Sequence, residues 1–215
     1  MKKLLELGEH YVSDFLNESD LCDNKQKYSL DLYLDSEINA PKLKTSAPLD
    51  SMYGKYWYRS GINTSMTNQL RDIVNQICSR TKFKKDDIWL DIACNDGTLL
   101  KNVPNEFIKL GIDPADNSYY QESSKVATVI QDYFSEETYK RTGYGDKKCK
   151  VITIIAMFYD IENPIPVIKD LYKILDDDGL LVLQMSYTPL MINQLAFDNI
   201  CHEHIYYYSL SLIHI

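Results

Sequence analysis

The sequence predicts an α/β chain: a parallel sheet with helices on both faces, truncated at its C-terminal side and preceded by a small N-terminal lobe. Three observations lead there. Short apolar runs recur at residues 88–92, 107–112, 126–130, 151–157 and 180–185. Segments of helical length separate most of them. The runs are nearly continuous rather than alternating, as strands covered on both faces must be. Ligands of such sheets bind beyond the carboxyl ends of the strands, so the residues closing each run are the first candidates for a site.

The elements follow in chain order. Residues 1–58 mix acids (Glu6, Glu9, Asp14, Glu18, Asp20, Asp23) with one short strand inside 28–34 and a loop over 39–48 marked by Pro41, Ser46 and Pro48. They read as a weakly cored lobe. A helix then starts at Thr64 or Ser65, either of which can cap it, and carries Leu70, Ile73, Val74 and Ile77 on one face. The five runs follow within a domain spanning 59–188, Rossmann-like in its alternation. Before the fifth, a helix over 164–175 shows Ile165, Val167, Ile168, Leu171, Ile174 and Leu175 at helical spacing, and Gly179 is placed to stop it in the left-handed conformation. Residues 189–215 form a last segment ending on an apolar run without a capping signal, which predicts an incomplete chain, with a partner chain as one way to cover the open sheet edge.

Composition narrows the chemistry. The 215 residues carry a net charge of −8, which disfavours a nucleic-acid backbone or an anionic membrane surface as the main partner. Cys22, Cys78, Cys94, Cys149 and Cys201 are scattered and never spaced Cys-x-x-Cys. A disulfide framework or structural zinc is therefore not expected, and a cytoplasmic setting is. The longest apolar stretch, 151–158, is far below the ~20 residues of a membrane span. The first eight residues carry too short an apolar run for a secretory signal.

The first strand-to-helix loop is Asp91-Ile-Ala-Cys-Asn-Asp-Gly-Thr98. It lacks the Gly-x-Gly-x-x-Gly that brings a pyrophosphate against bare backbone, and Asp91 and Asp96 would repel one. Only 8 glycines are present in the whole chain. The loop suits a ligand with positive charge and no phosphate, such as S-adenosylmethionine. Asp113 ends the second strand, where a carboxylate can bind ribose hydroxyls, and Asp132 follows the third, placed to accept from an adenine amino group. An acid at a strand end is often only a helix cap; three on consecutive strands point to an adenosyl site. The candidate cofactor residues are thus Asp91, Ala93, Asn95, Gly97, Asp113, Pro114, Asp132, Tyr133 and Ala156.

The densest polar group is Cys201-His-Glu-His204 followed by Tyr206-Tyr-Tyr208. Adjacent side chains point apart on regular structure, so a metal site is the lesser reading, acid–base work the better one, and a polar surface turn the bland one. Tyr53, Tyr56, Trp57, Tyr58 and Arg59 form either an aromatic staple or a wall of phenols around a hydroxyl-rich ligand.

Together, Tyr56-Trp-Tyr-Arg-Ser-Gly-Ile-Asn63, the Asp91–Leu100 loop, Gly111-Ile-Asp-Pro114, Met157-Phe-Tyr-Asp160 and Cys201-His-Glu-His204 with Tyr207-Tyr-Ser209 resemble the class I S-adenosylmethionine-dependent C-methyltransferases of nucleotide-deoxysugar biosynthesis. The resemblance implies S-adenosylmethionine as cofactor and a nucleotide-linked keto sugar as substrate, methylated next to its ketone through an enolate. It implies His204 as base, Glu203 as its orienting or relay partner, and His202 and Tyr58 as nearby polar groups. The family's N-terminal zinc lobe carries two Cys-x-x-Cys pairs. Here the first would precede Met1 and the second falls near Asp35 and Ile38, so no metal is expected. Cys201 stands where better-studied relatives have Tyr, and Asp160 where His is common. Ala93 replaces the usual first loop glycine, a change expected to cost little, and relatives continue to about twice this length. Methylation of oxygen or nitrogen on a small metabolite, and a non-catalytic cofactor-binding module, are the competing readings; NAD chemistry is disfavoured by the missing glycines.

Overall fold

The computed structural model describes residues 2–13, 26–48, 52 and 58–213. Tyr53, Tyr56, Trp57 and Cys22 lie outside them. Among the described residues the strands in chain order are β1 (Lys2–Leu5), β2 (Glu9–His10), β3 (Tyr28–Ser29), β4 (Leu32–Leu34), β5 (Pro41–Leu43), β6 (Ile88–Ile92), β7 (Ile108–Ile112), β8 (Thr128–Ile130), β9 (Cys149–Ile155) and β10 (Leu175–Gln184). The chain divides into two compact units. The larger takes Tyr56–Ile155 and Asn163–Gln184; the smaller takes Met1–Lys55, Ala156–Glu162 and Met185–Ile215.

In the larger unit the five apolar runs pair in parallel, in the order β10-β9-β6-β7-β8. The central strand β6 is buried throughout, which is why its run shows no polar alternation. Its register sets Asp91 beside Gly111 on one side and Thr153 on the other. The helix Thr64–Arg80 buries Leu70, Val74 and Ile77, the i, i+4, i+7 stripe its sequence shows. They join a core with Trp89, Leu99, Leu100, Val103, Phe107 and Val151, where Trp89 meets Phe107 edge-on at 5.3 Å. The helix is capped one residue before the expected Thr64 or Ser65. Asn63 accepts from the backbone of Ser65 and Met66, since its extended backbone aims the side chain at the first free N–H groups.

The stop at Gly179 is not used. The helix Pro164–Ile174 ends on Leu175 in extended conformation, and Gly179 falls inside β10. Leu175 pairs with Cys149 and Leu180 with Val151, so residues 176–179 form a bulge opposite Lys150. That buried lysine explains the bulge, because its ammonium is held 2.6 Å from an Asp178 carboxylate oxygen.

The smaller unit contains β1-β4-β5, an antiparallel sheet, and the pair β2–β3. The expected strand inside 28–34 is split because Asp31 turns the chain, its carboxylate accepting from Leu7 and Gly8 N–H at 3.0 Å each. The expected loop over 39–48 holds β5, with Pro41 at the first position, where a missing N–H costs the ladder least. Residues 205–207 run along β5: Leu43 N–H donates to Ile205 O (2.9 Å) and Tyr207 N–H to Pro41 O (3.0 Å). Ile200 and Tyr207 complete a core with Leu30, Leu32 and Leu43. Burying side chains of this size contributes about 1.5–3 kcal/mol each, so the C-terminal segment supplies much of what the N-terminal residues lack.

Candidate active site

In the larger unit, Asp91 closes β6 almost wholly inside the protein. Its Oδ1 accepts from Thr153 Oγ1 at 2.6 Å, while Thr153 accepts from Trp89 Nε1 at 3.2 Å. Burial pushes the Asp91 carboxyl up to about 7; the Asp113 charge adds to this and the Thr153 hydrogen bond opposes it. Asp113 at the end of β7 is also raised by burial, against two backbone hydrogen bonds from Ala115 (2.7 Å) and Asn95 (2.7 Å).

The intervening loop is wound tightly. Ala93, Asn95 and Gly97 take φ of 59°, 51° and 76°. Ala93 therefore occupies the conformation glycine adopts freely, and its presence costs on the order of 1 kcal/mol rather than the little expected. Asn95 and Asp96 spend their side chains within the protein. Asn95 Oδ1 accepts from Ser60 N–H at 3.1 Å and its Nδ2 donates to Tyr58 O at 3.1 Å. Asp96 accepts from Gly61 N–H at 2.8 Å and from Thr98 N–H and Oγ1. A Cβ on Gly61 would stand 2.8 Å from Asp96 Oδ2 and from Thr98 Oγ1, so only glycine permits this approach. Tyr58 and Arg59 are thereby fastened beside the loop, with Arg59 bonded to Ser118 Oγ.

The remaining candidates are more dispersed. Asp132 is ion-paired with Arg141 at 2.6 Å, and this hydrogen bond holds its carboxyl below the ordinary range. Pro114 and Tyr133 are exposed. Ala156, at φ 54°, begins the segment after β9.

In the smaller unit, the His-Glu-His run does not act as one cluster. His202 is buried and its Nε2 donates to the Tyr28 carbonyl at 3.1 Å. His204 faces elsewhere: its Nδ1 donates to Asn199 O at 2.9 Å, and the Tyr159 ring lies 4.2 Å away. A carbonyl only accepts, so the proton sits on Nδ1 and the lone pair on Nε2. Burial lowers the His204 pKa, opposed by the Asn199 contact and the Glu203 charge. The ring is thus neutral at neutral pH, with Nε2 free to accept a proton. The Glu203 carboxylate lies beside the Cys201 thiol, which burial first and this charge second push up to about 12. Glu203 Oε2 and the Tyr207 and Tyr208 hydroxyls are buried without a hydrogen-bond partner among the described residues. Among the described residues no group of His, Cys, Asp and Glu is arranged to hold a metal ion, and no helix is long and apolar enough to cross a membrane.

Sequence reasoning missed Thr153, Asn199, Tyr159 and the clasp through Gly61. Thr153 was discoverable: it is the one hydroxyl interrupting an otherwise apolar run. Asn199 acts through its backbone, which leaves no mark in composition.

Comparison with known proteins now adds kinship. A family model for a methyltransferase domain matches residues 62–214. The C-methyltransferase NovU of Streptomyces niveus is 21% identical over 200 residues, covering 93% of this chain and 48% of its own, so the chain spans about half the length of this curated relative. Two solved structures share the fold. The plantazolicin methyltransferase BpumL with SAH superposes at a TM-score of 0.52 with 18% identity, over 70% of this chain and 61% of that one. The plantazolicin methyltransferase BamL, with a triazolic desmethylPZN analog and SAH, gives 0.52 and 16%, over 69% and 58%.

Proposed function

The chain belongs to the methyltransferase-domain family, and from that premise we propose that it uses S-adenosylmethionine to methylate a carbon acid, the carbon next to the ketone of a nucleotide-linked keto-deoxysugar. The donor set of the larger unit suits the cofactor. Asp91 and Asp113 set two carboxyl groups at the carboxyl ends of β6 and β7 without a phosphate cradle, and a ligand carrying a sulfonium and an ammonium would favour their ionised forms. Asp113 would hold the ribose hydroxyls, and Asp91 would favour the positive amino-acid end. Asn95, Asp96 and Gly97 shape the loop. When bound, the cofactor supplies an electrophilic methyl group.

The observation that carries the chemistry is the fixed tautomer of His204. Nε2 would take the proton from the carbon beside the ketone as that C–H electron pair becomes the enolate, and the methyl that this carbon gains would come from the bound cofactor, which leaves as S-adenosylhomocysteine. Glu203 lies close enough for its charge to favour the imidazolium that forms. Tyr58 keeps its phenolic proton because burial raises its pKa, and it stands as a polar group of the larger unit. His202 holds the segment to Tyr28. The curated resemblance to a C-methyltransferase supports carbon as the acceptor atom.

The test is His204→Gln assayed with a nucleotide-linked 4-keto-deoxysugar in deuterated water. The wild-type protein should exchange the C–H beside the ketone and add one methyl at that carbon. The variant should bind S-adenosylhomocysteine as the wild type does yet do neither. Unchanged turnover by the variant, or methylation at oxygen by the wild type, would overturn the assignment.

A further inference from the structure

Within the larger unit, Thr153 carries the one side-chain hydroxyl of β9, between Val151, Ile152 and Ile154, and all four are wholly buried. A hydroxyl taken out of water is costly unless its hydrogen bonds are remade, and here they are. The pairing of β6 with β9 sets Thr153 beside Asp91 and Val151 beside Trp89. Residues 89 and 91 share one face of their strand, so the indole and the carboxyl meet the same hydroxyl. Trp89 Nε1 donates to Thr153 Oγ1 at 3.2 Å, and Thr153 Oγ1 stands 2.6 Å from Asp91 Oδ1.

The direction of this chain follows from the groups in it. An indole N–H only donates, so it occupies a lone pair of the hydroxyl, and Thr153 must place its own proton on an acceptor. The Leu90 carbonyl, at 3.4 Å, is a long contact. The Asp91 oxygen, at 2.6 Å, lies at the distance of a hydroxyl bonded to a carboxylate. Trp89 is itself fully buried and held edge-on by Phe107, so the donor is anchored in the core and aimed at Asp91. The other groups around Asp91 give it no such help among the described residues. The Asp113 charge, at the end of β7, opposes its ionisation. The Cys94 thiol in the following loop is pushed up by burial and stays neutral, and β9 brings only the uncharged Thr153. Against burial, the Thr153 hydrogen bond is what favours the carboxylate.

Resting on the cofactor reading above, we propose that Thr153, aimed by Trp89, is a positioning residue for S-adenosylmethionine: it holds one oxygen of Asp91 so that the buried acid can release its proton to solvent and meet the cofactor's positive amino-acid end as an oriented carboxylate. Thr153 touches no part of the cofactor in this role and acts through Asp91 alone.

The experiment measures calorimetric binding of S-adenosylhomocysteine by the full chain from pH 6 to pH 9. Wild-type affinity should fall as pH drops below about 7, where Asp91 holds its proton in the free protein. Thr153→Val keeps the shape and removes the donor, so the decline should begin about one pH unit higher, making the variant about tenfold weaker at pH 6 and within about twofold of wild type at pH 9. Thr153→Ser should restore the wild-type profile. Because Thr153→Val strands the Trp89 N–H, the pair Trp89→Phe with Thr153→Val, which leaves neither group unpaired, should fold and show the same shift. A loss of equal size at every pH would overturn the proposal and leave Thr153 a packing residue; an unshifted profile in both valine variants would also overturn it. Asp91→Asn separates this proposal from the reading beneath it. If that variant kept wild-type affinity and profile, the role of Asp91 in holding the cofactor would fall and this proposal with it; if it lost both while the valine variants did not shift, this proposal alone would fall.

Discussion

Replacing Asp91 with Asn should stabilise the ligand-free protein at pH 8 and leave it unchanged at pH 4. The carboxyl titrates near 3.8 in an unfolded chain and at about 7 in the folded one. Below pH 3.8 both states hold the proton and folding costs nothing extra. Between 3.8 and 7 the folded state keeps a proton that the unfolded state has released, so stability falls as pH rises. Above 7 the full cost applies. A displacement from 3.8 to about 7 is worth ~4 kcal/mol at ~1.36 kcal/mol per pH unit, an upper figure because a buried charge also draws water toward itself. Asn keeps an oxygen to accept from Thr153 and has no charge to bury. Urea unfolding from pH 4 to 8, followed by Trp89 fluorescence, tests this directly, since Trp89 shares the Thr153 hydroxyl with Asp91. The gap between variant and wild type should open from near zero to a few kcal/mol. A variant less stable at pH 8, or a gap independent of pH, would refute the burial of a chargeable Asp91. On the proposed cofactor reading the same variant should bind S-adenosylhomocysteine more weakly, having lost the charge that would meet the positive amino-acid end.

Two further outcomes follow from the geometry. Ala93→Gly should raise the unfolding midpoint, by about 1 kcal/mol of relieved left-handed strain less the added freedom of the unfolded glycine; thermal unfolding with ligand absent checks it. Gly61→Ala should weaken S-adenosylhomocysteine binding severalfold by pushing Asp96 away from the segment 58–61, a loss visible by calorimetry while the Thr64–Arg80 helix keeps its circular dichroism.

The parts of the fold that were legible in the sequence are those encoded by local pattern. Trp89, Leu90 and Ile92 declare a buried strand because no polar residue interrupts them except Asp91, the residue proposed to meet the cofactor. Leu70, Val74 and Ile77 declare a helix face by spacing alone. The strand ends located Asp91 and Asp113 because parallel pairing puts every carboxyl end on one edge. The missed features depend on partners far away in the chain. Gly179 reads as a helix stop until Lys150 is seen to need Asp178, and the bulge then follows. Residues 39–48 read as a loop until 205–207 pair with Pro41 and Leu43.

That last pairing changes what the N-terminal residues are for. Asp35 stands near the position where the resembling family would carry zinc ligands. Its Oδ1 accepts from Glu37 and Ile38 N–H, and its Oδ2 accepts from the Tyr206 hydroxyl at 3.1 Å. One carboxylate therefore shapes the turn before β5 and binds the segment that pairs with β5. Tyr206 in turn donates its N–H to Tyr159 O, and the Tyr159 ring packs at a tilt against His204. The lobe's own Leu30, Leu32 and Leu43 form a core only together with Ile200 and Tyr207. In this chain, then, the lobe and the His204 segment are one folding unit: the residues that complete its core also place the imidazole, so a substitution that loosens the core should disturb the candidate base before it disturbs the cofactor loop, whose own core is separate.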